Sequence, residues 1–122
     1  MNNLVVVRGG GDIATGTIYK LARCGFHILV LEIEHPSAIR RNVAYSEAVY
    51  DGHKEVEGIE CVLIHSLNEL ESVFKHNKIA MMVDPKGSSI DILKPEIVID
   101  AILAKKNMGT SRNMAPITIG LG

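Results

Sequence analysis

The chain has no tryptophan, and only three tyrosines and two phenylalanines in 122 residues. With aromatics at 4% and hydrophobic residues at 47%, its core has to be made of Val, Ile, Leu, Ala and Met. Aliphatic runs of this kind suit a parallel sheet buried beneath helices. An excess of one charge is also lacking: 13 Lys and Arg stand against 14 Asp and Glu, a formal net charge of −1. That balance excludes the basic footprint of a nucleic-acid binder. Cysteine is scarce. Cys24 and Cys61 lie far apart and neither belongs to a CxxC pair, which argues against a disulfide framework or a zinc ribbon and for two reduced thiols. No apolar run approaches the ~18 residues of a membrane span. Met-Asn-Asn and four apolar residues before Arg8 are too short and too uncharged for a signal peptide. The expectation is a soluble, cytoplasmic protein that partners neither nucleic acid nor membrane.

What the chain does have is short apolar runs at residues 4–7, 28–31, 59–64, 79–83, 97–99 and 117–119, interrupted only by Glu60 and Thr118. Runs of this kind predict strands covered on both faces. After the first run, Ile13, Ala14, Thr17, Ile18, Leu21 and Ala22 recur at the spacing of one buried helix face. Asp12 is placed to N-cap that helix and Gly25 to close it. Ser66-Leu67-Asn68-Glu69 is a capping box that opens a helix through about Lys75, striped by Leu67, Leu70 and Phe74. Residues 37–50 predict a further helix closed by Asp51-Gly52. Residues 84–95 hold two prolines, Gly87, Ser88 and Ser89, and predict a loop with at most one helical turn. Strands alternating with helices predict βαβ units in one domain of α/β class. The expected fold is a doubly wound, mainly parallel, five- or six-stranded Rossmann-like sheet, with strand order 3-2-1-4-5 and the last strand at an edge.

The first strand runs directly into Arg8-Gly9-Gly10-Gly11-Asp12-Ile13-Ala14. Gly9-x-Gly11-x-x-Ala14 matches the dinucleotide fingerprint G-x-G-x-x-[G/A], after a strand and before a helix as the fingerprint requires. Gly9 permits the tight turn, Gly11 leaves room for a pyrophosphate, and Ala14 lets helix and strand pack closely. Backbone N–H groups from Gly9, Gly10, Gly11, Asp12 and Ile13 would face the phosphates. Glu32 follows the second strand, 21 residues after Gly11, where the fingerprint places an acid for the ribose hydroxyls; Glu34 is less well placed. The glycines also admit a plain reading as turn formers. Asp12 counts against a simple phosphate cradle, because a carboxylate at the N-cap competes for the same N–H groups and repels an anion.

Ligands of open α/β sheets sit at the carboxyl ends of strands. The ends here present the glycines, Glu32, His65, Asp84 and Asp100. The acids are candidates for a phosphate-bound Mg²⁺ or, more ordinarily, for capping loops. None of His27, His35, His53, His65 and His76 forms an HxH or HExxH motif, so no metal motif is supported. Residues 105–116 carry Lys105, Lys106 and Arg112 in a turn-rich stretch, readable as an anion clamp or as a solvated loop.

Several blocks resemble the YqeB family: residues 7–16 around the glycines, Ala38-Ile39-Arg40-Arg41, Ser46-Glu47-Ala48-Val49-Tyr50-Asp51-Gly52, Val83-Asp84-Pro85-Lys86-Gly87, Asp100-Ala101-Ile102-Leu103-Ala104-Lys105 and residues 114–122. The resemblance covers nearly the whole chain with its blocks in the family's order. It implies an accessory or maturation protein for a selenium-dependent molybdenum hydroxylase, with that enzyme as partner and a nucleotide or molybdopterin-type ligand. It transfers no catalytic residue.

Two functions follow as expectations. One is an accessory factor holding a small phosphate-bearing ligand, either an NAD-like dinucleotide or a molybdopterin nucleotide. The other is an NAD(P)-dependent oxidoreductase domain, which the chain serves poorly because no substrate domain and no evident proton donor accompany the fingerprint. The final apolar run ends in glycines, where a parallel sheet would lead into a covering helix. This predicts the N-terminal part of a longer protein, and apolar surface at the last strand that a homodimer could cover.

Overall fold

The structure, a computed structural model, describes residues 3–36, 44–101 and 117–120. The side chains of Asp12 and Ile13, and the expectations for residues 37–43 and 105–116, lie outside the described residues.

Strand β1 (Leu4–Arg8) is buried along its whole length. Helix α1 (Asp12–Arg23) returns the chain to β2 (His27–Glu32), which pairs parallel to β1 with Val5 opposite Ile28. The helix buries Ala14 and Ile18 against the sheet. Gly25 follows its C-cap with φ +92°, the left-handed conformation that releases a chain from a helix at little steric cost. A 3-10 turn (Tyr45–Glu47) then leads into the short α2 (Ala48–Asp51).

Strands β3 (His53–Val56) and β4 (Ile59–Leu63) form an antiparallel hairpin. Its two-residue turn has both central φ values positive, Glu57 at 48° and Gly58 at 87°, the hand that matches strand twist. The capping box forms as the sequence predicts: Ser66 accepts from Asn68 N, and Glu69 reaches back to Ser66 N. It opens α3 (Leu70–Lys75), whose Phe74 ring stacks on His27 at 4.7 Å. Strand β5 (Ile79–Val83) pairs with both β4 and β2. Helix α4 (Ser88–Leu93) leads to β6 (Ile97–Asp100), parallel to β1, and β7 (Ile117–Gly120) lies parallel to β6.

The strand order is β3-β4-β5-β2-β1-β6-β7. The expected doubly wound, five- or six-stranded Rossmann-like sheet is therefore corrected. The sheet is mostly parallel as expected, but it has seven strands, is mixed through the antiparallel β3–β4 pair, and dominates helices of which three run only four to six residues. The expected order is overturned as well, because β5 inserts between β2 and β4. Two physical causes are visible. His53-Lys54-Glu55-Val56 is polar and half exposed, so hydrophobicity did not reveal β3 as a strand. Residues 84–95, expected as loop with at most one helical turn, contain a six-residue helix that carries the chain from β5 to β6.

Alternation along β1 divides the core. Val5 and Val7 join Ile18, Tyr45 and Ala48 on one face, while Leu4 and Val6 join Leu70, Phe74 and Ile90 on the other. Each fully buried Val or Ile contributes about 1.5–3 kcal/mol relative to exposure. On β7, Ile117 and Ile119 stand 48% and 44% exposed. Among the described residues no helix is long and apolar enough to cross a membrane.

Candidate functional site

The glycine turn joins β1 to α1, and each glycine there meets a different demand. Gly9 sits at φ +96°, closed to most side chains, and its N–H continues the ladder to Leu31 O at 2.8 Å. Gly10 has no space for a side chain: a Cβ would stand 2.9 Å from Met81 Cε and 3.3 Å from Ser46 N. Gly11 is the N-cap of α1, with φ −67° and ψ −176°, and a Cβ there would meet nothing within 4 Å. Among the described residues no side chain caps this helix start. The expectation that Asp12 is the N-cap is corrected, since Asp12 is the first residue inside the helix. Ala14 is 2% exposed against the sheet, the close packing expected of it.

Glu32, at the end of β2, folds onto the turn. Its Oε2 accepts from Gly10 N at 2.6 Å and its Oε1 from Ile33 N at 3.0 Å. Burial pushes its carboxyl up from the ordinary value, and the two N–H donors offset part of that rise. The side chain thus reaches the neighbourhood expected of a ribose partner, with one carboxylate oxygen already on a glycine N–H.

The pattern reading missed a latch beside the turn. The Thr15 hydroxyl donates to Gly11 O at 2.7 Å and accepts from Tyr45 N at 3.0 Å, while Ser46 N donates to Gly10 O at 2.8 Å. Residues 45–47 are thereby bound over the turn, and Tyr45, Ser46 and Glu47 are all buried. No motif pointed to them; the available signal was a hydroxyl four residues after Gly11, where it can reach back to that carbonyl. Arg8 was missed too. It is 1% exposed, its Nη2 donates to Pro85 O at 2.9 Å, and its guanidinium lies where a Cβ on Gly87 would meet Cζ at 3.3 Å.

The remaining candidates spread along the same edge. Asp84 N donates to Glu32 O at 2.9 Å, while the Asp84 carboxylate accepts from Ser88 N and Ser89 N at the start of α4. Burial alone would raise the Asp84 carboxyl, but hydrogen bonds from Ser89, Ser88 and Gly87 outweigh it and hold the group below its ordinary value. Asp100 ends β6 in register with Arg8. His65 follows β4, and its N–H donates to Glu69 Oε2 at 2.7 Å. The structure therefore joins Glu32 directly to the glycine turn and gives Asp84 to the next loop. Among the described residues no group of three or more His, Cys, Asp or Glu could hold a metal ion.

Tyr50 and Lys54 have the Tyr-x-x-x-Lys spacing of a hydride-transfer dyad, but they do not share a helix face. Tyr50 lies in α2 with its hydroxyl donating to Pro36 O at 2.7 Å, whereas Lys54 lies on β3 beyond the Gly52 turn.

Comparison with known proteins gives one informative likeness. The chain is 48% identical over 121 residues to "Uncharacterized protein YqeB" of Escherichia coli (strain K12). The match covers 99% of this chain and 22% of that protein, so the chain spans about a fifth of the relative's length. No protein-family model matches, and no solved structure matches. The likeness relates this stretch of sequence to a part of that protein, and the relative's name carries no activity with it.

Proposed function

We propose that the chain binds a small phosphate-bearing ligand, a nucleotide or a molybdopterin-type compound, at Gly9, Gly10 and Gly11. In this reading it serves as part of an accessory or maturation protein for a selenium-dependent molybdenum hydroxylase. The observation that carries the ligand half is the opening of α1, where no described side chain caps the helix and a Cβ on Gly11 would meet nothing within 4 Å. A twelve-residue helix presents its first-turn N–H groups and the positive end of its dipole there. The residues fit such a group with two restrictions: Gly10 N is engaged by Glu32, so the phosphate is left with the N–H groups from Gly11 onward, and Asp12 adds a like charge in the first turn of the helix. The Glu32 oxygens keep lone pairs for a sugar or other hydroxyl donor. The bound phosphate supplies an anchor; no reaction step is assigned to it. The accessory half rests on the block-by-block resemblance to the YqeB family, with the hydroxylase as partner.

A thermal-shift panel of NAD, NADP, FAD, ATP, CTP and a molybdopterin nucleotide tests the reading, since a ligand selective for the folded state raises its stability by RT ln(1 + [L]/Kd). The expected result is a rise with at least one member that is lost in Gly11→Val, while the unliganded variant melts like the parent. The φ of −67° at Gly11 is open to Val, so the fold has no reason to fail. Equal shifts in parent and Gly11→Val would overturn the site. A response to NAD or NADP alone would move the reading to the oxidoreductase domain.

A further inference from the structure

Glu32 stands where the anion of a ligand would. Its Oε2 takes the Gly10 N–H at 2.6 Å and its Oε1 the Ile33 N–H at 3.0 Å, and the residue is only 8% exposed. Both oxygens accept an N–H, as those of an ionised carboxylate do. Among the described residues these two backbone groups are its partners, and no cation shares the carboxylate. The turn brings no compensation of its own, since residues 9–19 contain one acid, Asp12, and no Lys or Arg. Arg8, the residue before the turn, is buried and donates to Pro85 O at 2.9 Å in the loop after β5. A carboxylate on a glycine N–H at the start of a helix reproduces the bond that a phosphate oxygen makes in such a place.

The turn is nevertheless not saturated. Ser46, whose N–H donates to Gly10 O at 2.8 Å, is fully buried, and its hydroxyl has no hydrogen-bond partner among the described residues. A bound polar group is one way such a deficit is filled. Gly11 N is the next N–H along the chain from Gly10 N, so an anion seated there is a near neighbour of the Glu32 carboxylate. A bare phosphate has two routes in. It sits beside a like charge, or it evicts a desolvated carboxylate and leaves it with the Ile33 N–H alone. Both routes are unfavourable. A phosphate whose own molecule carries hydroxyls differs, because those hydroxyls can donate to the carboxylate and offset the repulsion.

We propose that Glu32 is a specificity filter that acts as a built-in substitute for the ligand's anion: it holds the glycine turn against free phosphate and admits phosphate on a molecule that also brings hydroxyl donors, as a sugar phosphate or nucleotide does. This rests on the phosphate reading of the turn and narrows the class of ligand that reading takes.

Inorganic phosphate and ribose 5-phosphate, which differ by the sugar and carry no base, are the probes. Affinities are read on the full chain by NMR from the Gly10 and Gly11 amides, for the parent, Glu32→Gln and Glu32→Ala. Glu32→Gln removes the charge but keeps the shape and one acceptor oxygen, so it remains informative if Glu32→Ala fails to fold. The parent should prefer ribose 5-phosphate at least about 10-fold. In Glu32→Gln inorganic phosphate should bind at least about 10-fold more tightly than in the parent, so that the preference collapses. A merely structural Glu32 would leave phosphate binding equal or weaker on substitution. Glu71→Gln, on the exposed side of α3, removes the same charge far along the chain and should keep the parent's values. No preference in the parent, equal or weaker phosphate binding in Glu32→Gln, an equal gain in Glu71→Gln, or no saturable Gly11 shift with either probe at about 50 mM, where even a weak site fills, would each overturn the inference. A phosphate gain that survives the added Gly11→Val would overturn the site together with the filter. A nucleotide response lost in Gly11→Val, beside unchanged phosphate binding in Glu32→Gln, would overturn the filter alone.

Discussion

Gly10 and Gly11 are neighbours, yet a methyl group added to each should have unlike effects. On Gly10 it lands 2.9 Å from Met81 Cε, 3.2 Å from Val30 Cγ1 and 3.3 Å from Ser46 N. The methionine end is flexible, but Met81 is fully buried and has little space to retreat into. Ser46 N is backbone and is held by its own bond to Gly10 O. Overpacking of this kind costs about 1–3 kcal/mol. Removing glycine's freedom from the unfolded chain returns about 0.4–1 kcal/mol. Gly10→Ala should therefore lose about 1–2 kcal/mol. On Gly11 the methyl meets nothing within 4 Å, at a backbone conformation that any residue adopts. The entropic gain there opposes the poorer N-cap character of Ala, leaving a net change within about 0.5 kcal/mol of zero. For a domain of 122 residues, 1 kcal/mol moves the melting temperature by about 4 °C. Thermal and urea unfolding should then show Gly10→Ala lower by about 4–8 °C and Gly11→Ala within about 2 °C of the parent. Equal losses, or a larger loss at Gly11, would refute the placement of the tight contact at Gly10.

Thr15→Val keeps the shape of the side chain but deprives Tyr45 N of its acceptor, and should cost about 1–3 kcal/mol with faster hydrogen exchange at the Tyr45 amide; an unchanged exchange rate would remove the latch. Asp84→Ala should lose about 1 kcal/mol at pH 7 through the α4 start. Because the folded Asp84 carboxyl lies below its ordinary value, its stabilisation is present above the ordinary aspartate range and disappears as pH falls through the folded value. Parent and variant stabilities should converge in acid, and a gap that persists there contradicts the assignment. Glu32 has the opposite sign. Its folded carboxyl lies above the ordinary value, so stability falls as pH rises from the ordinary glutamate range through the folded value. Glu32→Gln should flatten the stability profile in that window, and identical slopes in the two proteins would sink the idea.

Much of the fold could be read from hydrophobicity, because strands buried on both faces leave unbroken apolar runs. The runs at residues 79–83 and 4–7 became β5 and most of β1, and the Ser66–Glu69 capping box formed as written. Strand order was not legible. It depends on where the β5–β6 connection travels, and nothing in Pro85 or Gly87 announces that Arg8 will be buried beneath that loop. At the candidate site, the fingerprint singled out Gly9, Gly11 and Glu32, which lie together at the turn, but it describes a ligand-bound arrangement. It could not foresee Glu32 bonding to Gly10 N, or Thr15 gathering two separate segments through one hydroxyl. Such contacts join residues that no periodicity connects.

The sheet's centre also sets a timetable. The β3–β4 hairpin closes through two turn residues and can form in about 1–10 μs. The pairing of β1 with β6, which puts Val5 opposite Ile97, joins residues more than ninety positions apart and must wait for nearly everything between. During synthesis the glycine turn emerges early with only α1 and β2 to support it, while its Asp100 flank arrives some ninety residues later. A newly made chain therefore carries an unfinished, aggregation-prone edge along β1 until β6 docks, and only then does the turn acquire its second wall.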